Sequence, residues 1–107
     1  MSVYLLIESR DPFEAAGTGD FASLAMSLAR AGHRVAFFLV ENGVLVARQG
    51  SRCDLDKLGS AGIDVLADEF ALAERGIPPE RRRAGIRSAS LDLIVEHMAN
   101  GHKTLWH

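Results

Sequence analysis

A single side chain among the 107 residues can act as a soft nucleophile, Cys53. Arg48 and Arg52 lie close by in sequence, and a short helix beginning at Asp54 would aim backbone amides toward the sulfur. Both features favour a thiolate over a thiol. The plainer reading is an incidental surface or half-buried cysteine. Asp68 closes an apolar run, at the position where the strands of α/β proteins open into ligand crevices. A carboxylate there can serve as a base or bind a cation. The phosphoacceptor site of a receiver domain would also need an acidic pair after the first strand and a lysine ending a late one. Glu8-Ser9 supplies one acid, and Lys103 begins its run rather than ending it. The plainer role for Asp68 is to cap the helix that follows. Glu8, Ser9, Asp11, Thr18 and Asp20 cluster after the first apolar run, and Gly17-Thr18-Gly19 leads into a helix, a natural anion site. The fragment lacks a third matching glycine and a Walker lysine, so it reads more simply as a capped loop.

Arg75, Arg81, Arg82, Arg83 and Arg87 form a local basic run beside Glu80. Such a run can dock an acidic partner or bind small anions. No aromatic side chains interleave it, which argues against stacking on nucleic acid. A solvated loop is the plainer reading. His33, His97, His102 and His107 lack metal-ligand spacing, and no metal site or cofactor is expected. His33 suits a helix C-terminus. Trp106-His107 can reach a neighbouring subunit.

These residues need a scaffold. Val3 to Ile7 is a continuous apolar run, which suits a strand covered on both faces. Phe21, Leu24, Ala25, Leu28 and Ala29 fall at helical spacing, and Gly32 stands where a left-handed C-cap belongs. Val35 to Val40 is a second strand, so residues 2 to 40 form a βαβ unit with parallel strands. Glu41-Asn42-Gly43 signals a turn. Val44 to Ala47 fits a small strand or a helical turn equally. Leu55 and Leu58 mark a short helix ended by Gly59 or Gly62, and Ile63 to Ala67 reads as the third strand. Asp68 to Arg75 reads as a helix with Phe70 and Ala73 on one face, stopped by Gly76 and Pro78-Pro79. Gly85-Ile86 suggests a brief extended piece. Leu91, Ile94, Val95, Met98 and Ala99 outline a last helix, capped by Ser88 or Ser90 and ended by Gly101. Lys103 to Trp106 is a final strand. The fold class is α/β, a flavodoxin-like three-layer arrangement with a mostly parallel sheet, and residues 1–107 read as one domain.

Basic and acidic side chains number 12 and 14, so the net charge of −2 offers no global attraction for nucleic acid or an anionic membrane. No apolar run approaches membrane-spanning length. The opening Met-Ser-Val-Tyr lacks a basic region and cleavage site, and one cysteine allows no internal disulfide; a cytoplasmic setting is expected.

Several pieces occur in a telling order: Ala31-Gly32-His33-Arg34-Val35, Glu41-Asn42-Gly43-Val44, Gly62-Ile63-Asp64-Val65-Leu66-Ala67-Asp68, Arg75-Gly76-Ile77 and Lys103-Thr104-Leu105-Trp106-His107. Together they resemble the DsrE/DsrF-like family, which includes TusD-type sulfur-relay subunits, over nearly the whole chain. The resemblance implies a small α/β layer fold assembled into a homo-oligomer, a trimer or hexamer. It also implies sulfur carried as a cysteine persulfide between relay partners. In active members that cysteine follows the third strand, a place that falls near Ala67 and Asp68 here. A carboxylate cannot become a persulfide. The expectation is therefore a divergent, accessory member, at most a sulfurtransferase or sulfur carrier acting through Cys53. Glu8, Ser9, Thr18, Asp68 and Arg75 are its expected binding residues. The alternative is a small-anion or nucleotide-binding regulatory module on a flavodoxin-like fold.

Overall fold

The two apolar runs of the first forty residues become neighbouring parallel strands, β1 (Val3–Glu8) and β2 (Arg34–Leu39), in register from Val3↔Arg34 to Glu8↔Leu39. The computed structural model describes residues 1–11, 18–51 and 55–107, with the backbone alone at Thr18. β3 (Asp64–Asp68) joins β2, β4 (Arg87–Ala89) joins β3, and β5 (Lys103–Trp106) returns to the other side of β1. The order is β4-β3-β2-β1-β5 and every pairing is parallel. All five strands therefore end on one rim, which gathers their carboxyl-terminal residues from distant parts of the sequence.

Alternation along each strand sorts the core into two layers. Leu6, Phe37, Leu39, Val65 and Ala67 pack beneath α1 (Thr18–Arg30), α2 (Asp56–Ser60) and α3 (Glu69–Glu74). Leu5, Ile7, Phe38, Val40 and Leu66 point the opposite way and are covered by Leu93 and Ile94 of α4 (Asp92–Ala99). Strands buried on both faces read as unbroken apolar runs, which is the pattern of β1 and β2. Phe38 is fully buried, and its transfer from water stabilises the sheet by about 2–3 kcal/mol.

The α-helices α1 to α4 stop in one way. Gly32, Gly62, Gly76 and Gly101 all take positive φ, and the next residue returns its N–H to the carbonyl five back: His33 to Leu28, Ile63 to Leu58, Ile77 to Leu72, His102 to His97. This satisfies the last carbonyls with a Schellman turn, and three of the four turns lead into a strand within two residues.

Several local expectations change. Residues 44–47 belong to a 3-10 turn over Glu41–Ala47, which settles the strand-or-helix choice. α3 buries Ala71 and Leu72, whereas the face shared by Phe70 and Ala73 is exposed. The Asp68 cap sets the phase of this single-turn helix, and two residues on one side are all it can bury. On α4, Ile94 packs inward with Leu93, but Leu91, Val95 and Met98 face outward. One helix lying over a sheet can bury a narrow stripe only, and the wider apolar arc remains outside. The extended piece expected at Gly85-Ile86 lies two residues later, where Arg87 pairs with Leu66. Ser90, not Ser88, supports the start of α4, its hydroxyl accepting from the Asp92 N–H at 3.2 Å.

Candidate functional site

The rim's most connected point is Glu8, the last residue of β1. It is 3% exposed. Its backbone carbonyl accepts from the Val40 N–H at 2.9 Å. Its side chain accepts from the Arg10 N–H at 3.3 Å and meets His107 Nδ1 at 3.0 Å on both oxygens. Sheet register causes this last meeting. Ile7 pairs with Trp106, so the next residue on each strand, Glu8 and His107, emerge side by side. An ionised Glu8 carboxylate can only accept, so in this contact the Nδ1–H is the donor when Glu8 is charged. Nε2, on the far side of the ring, has no hydrogen-bond partner among the described residues, the arrangement of a carboxylate–imidazole dyad.

The ring is held in place from other directions. Phe21 of α1 stacks on it, with centroids 5.2 Å apart and planes at 30°. The Ser9 hydroxyl donates to the His107 carbonyl at 2.9 Å and accepts from Trp106 Nε1–H at 3.2 Å. Ser9 is thus engaged in fixing the β5 end and is poorly suited to nucleophilic attack. Gly43 approaches the Glu8 carbonyl so closely that a Cβ would stand 2.2 Å from the oxygen.

Asp68 ends β3 and is 4% exposed. Oδ1 accepts from the Phe70 N–H at 3.4 Å and Oδ2 from the Ala71 N–H at 3.2 Å. Both oxygens are committed to capping α3. β2 stands between Asp68 and Glu8, and no hydrogen bond or ion pair joins the two acids. Arg75 donates from Nε and Nη2 to Asn42 Oδ1 at 3.2 and 3.0 Å, tying the end of α3 to the turn after β2. Cys53 lies outside the described residues, as does the side chain of Thr18.

The basic run is divided rather than pooled. Arg83 pairs with Asp56, Arg87 with Asp64, and Arg82 Nε donates to the Ile77 carbonyl. Arg75 and Arg81 instead line an open depression of about 460 Å³ together with Arg48, Gln49, Gly76 and Ile77. At the opposite rim, His97 and His102 bring their Nδ1 atoms within 3.0 Å. Burial, then the neighbouring His102 charge, holds the His97 imidazole below its usual pKa, against a smaller upward pull from Glu96. Among the described residues, no cluster of three or more His, Cys, Asp or Glu side chains is arranged to hold a metal ion. No helix among them is long and apolar enough to cross a membrane.

Sequence reasoning ranked Glu8 with the site and left His107 among unplaced histidines. The available signal was the pair of expected strands, Val3 to Ile7 and Lys103 to Trp106, which end one residue before Glu8 and His107.

A five-stranded parallel sheet with helices on both faces and polar residues gathered on the carboxyl rim defines an α/β protein of flavodoxin-like architecture. More narrowly, the chain has a DsrE/YchN-like fold. It matches the crystal structure of the ychN protein from E. coli at a TM-score of 0.88 over 100% of both chains, with 16% sequence identity. It matches BT1422, a conserved protein of unknown function from Bacteroides thetaiotaomicron, at 0.82, with 18% identity over 99% of this chain and 95% of that one. MTH1491 from Methanobacterium thermoautotrophicum, also of unknown function, matches at 0.75, with 20% identity over 99% and 98%. Identities this low establish the fold alone. No protein-family model matches the sequence, and no curated protein matches it significantly.

Proposed function

We propose that this protein is an accessory, non-catalytic member of a sulfur-trafficking system, acting by association with relay proteins more than by carrying sulfur. The observation that supports this reading is Asp68. It stands where the DsrE/DsrF resemblance expects the persulfide cysteine, and both of its oxygens are spent on the α3 cap. The scaffold is retained along the whole chain while that position has turned from chemistry to structure.

Association has a surface. Leu91, Val95 and Met98 present an exposed apolar stripe on α4, and Leu105 and Trp106 are exposed on β5, an edge strand. Unpaired edges and apolar stripes of this kind favour contact with a second copy. A trimer or hexamer is the assembly we propose, and sedimentation showing only monomer at micromolar concentration would refute it.

The functional reading is tested by incubating the protein with glutathione persulfide and measuring its intact mass. No gain of a sulfur atom is expected. The same protein, immobilised, should retain a purified DsrE-type carrier only in that carrier's persulfide form or more tightly in that form. A sulfur adduct that disappears in Cys53→Ala would replace the accessory role with a carrier role. Equal, negligible retention of both carrier forms would remove the sulfur reading altogether.

A further inference from the structure

Arg48, Arg75 and Arg81 come from three separate segments, the end of the 3-10 turn after β2, the end of α3 and the Pro79–Arg81 turn. They converge on the depression of about 460 Å³ floored by Gln49, Gly76 and Ile77. No acidic residue lines it. The nearest compensating group is Glu74, 3.6 Å from Arg75 Nη1 and more than half exposed. Arg48 and Arg81 have no carboxylate within ion-pairing distance among the described residues. Three like charges with a single, half-exposed counter-ion repel one another, and an anion seated between them lessens that repulsion.

The cluster is built rather than incidental. Arg48 and Arg82 form an antiparallel bridge, and the Gln49 N–H donates to the Arg81 carbonyl at 2.8 Å. Gln49 Nε2 donates to the carbonyls of Glu80 and Arg82 at 3.1 and 3.3 Å. These bonds fix the two arginine-bearing loops against each other. Arg48 Nε donates to the Leu45 carbonyl at 2.9 Å, which orients its guanidinium and leaves both terminal nitrogens for a ligand. Arg75 is oriented in turn by Asn42, and its Nη1 donates to the Ala71 carbonyl at 3.3 Å, so Arg75 contributes chiefly a fixed charge. Arg81 has no side-chain partner among the described residues, so its full fork of donors is available. Two held guanidiniums and one unengaged one bring positive charge and N–H donors to one depression, the chemistry a compact multivalent anion requires. Orientation in advance lowers the entropy lost on binding.

We infer that Arg48, Arg75 and Arg81 form a binding site for a doubly charged tetrahedral oxyanion of the phosphate and sulfate class. The site is separate from the Glu8–His107 pair and does not rest on the sulfur-trafficking reading.

Inorganic phosphate and sulfate, titrated separately at constant ionic strength set with sodium chloride, provide the test by amide and arginine Nε–H NMR. Saturable shifts are expected at Gln49, Gly76, Ile77 and the three arginine side chains. Arg81→Gln, which breaks no described contact, should weaken binding about tenfold or more, the usual effect of losing a charge-assisted hydrogen bond. Arg87→Gln, whose arginine is paired with Asp64 elsewhere, should leave binding unchanged. Melting curves of both variants establish that each is folded. Shifts no different from those caused by chloride would overturn the assignment, as would wild-type affinity in Arg81→Gln. A glutamate-rich peptide that bound more tightly than either oxyanion would also overturn it, marking an acidic-protein surface instead.

Discussion

Gly43→Ala should be the most damaging single-methyl change in the described structure, although alanine is ordinarily favoured over glycine in helical turns. The added Cβ would stand 2.2 Å from the Glu8 carbonyl oxygen and 3.1 Å from its carbon. Ordinary van der Waals contact begins at 3.4 Å, so the gap must widen by roughly 1 Å. Neither side yields easily. The Glu8 carbonyl is bonded to the Val40 N–H, and the Gly43 N–H is bonded in turn to the Val40 carbonyl at 2.8 Å. Overpacking against a fixed group costs about 1–3 kcal/mol, and straining the Glu8–Val40 bond adds about 1 kcal/mol. A total near 3 kcal/mol corresponds, for a domain of this size, to a fall in Tm of roughly 15 °C.

Gly59→Ala is the matched control. Gly59 lies within α2, has nothing within 4 Å of its would-be Cβ and takes no positive φ. Removing its unfolded-state freedom should stabilise by about 0.5–1 kcal/mol, raising Tm by roughly 4 °C. Thermal melts followed by far-UV circular dichroism measure both. Amide shifts at Ser9 and His107 should move in Gly43→Ala and stay fixed in Gly59→Ala. A Gly43→Ala protein melting within about 3 °C of wild type would refute the close approach of this turn to β1.

Two further outcomes follow from the rims of the sheet. Asp68→Ala should lower stability by about 1 kcal/mol in urea unfolding, and Asp68→Asn by a few tenths, because an amide oxygen still caps α3; equal losses would mean that charge, not capping, is what the position supplies. Because the folded His97 imidazole has a pKa below its unfolded value, the unfolded chain binds more protons, so this residue's contribution to stability is lost as pH falls below about 6.5. His97→Gln should flatten the stability profile between about pH 7.5 and 5.5, and an unchanged slope would separate the His97–His102 pair from that dependence.

The parts of the fold legible in sequence were those decided locally. β1 and β2 are unbroken apolar runs, α1 has a helical stripe, and the glycines before β2, β3 and β5 announce helix stops. What was not legible depended on which neighbour covers a surface. Phe70 carries the same hydrophobicity inside or outside, and only the phase set by the Asp68 cap turns it outward. The three residues of β4, Arg-Ser-Ala, have little strand character of their own, and their conformation comes from pairing with Leu66, Ala67 and Asp68. Arg75 and Arg81 were read within one basic run, yet their companion in space is Arg48, while Arg83 and Arg87 face acids elsewhere.

The same reasoning shows why the two rim acids differ in what they can do. Asp68 and Glu8 both end inner strands and both are buried. Asp68 is followed at once by a helix, so adjacent amides reach its oxygens and the group is consumed locally. Glu8 is followed by non-helical backbone, with one nearby amide, from Arg10, on a single oxygen. Its remaining capacity is met by an imidazole from a strand almost a full sequence away. A buried carboxylate not absorbed by backbone amides can hold and orient the His107 ring; one absorbed by a helix cap cannot. The chemical potential of this rim therefore lies at β1 and β5, one side of the sheet away from the third-strand position to which the family resemblance points.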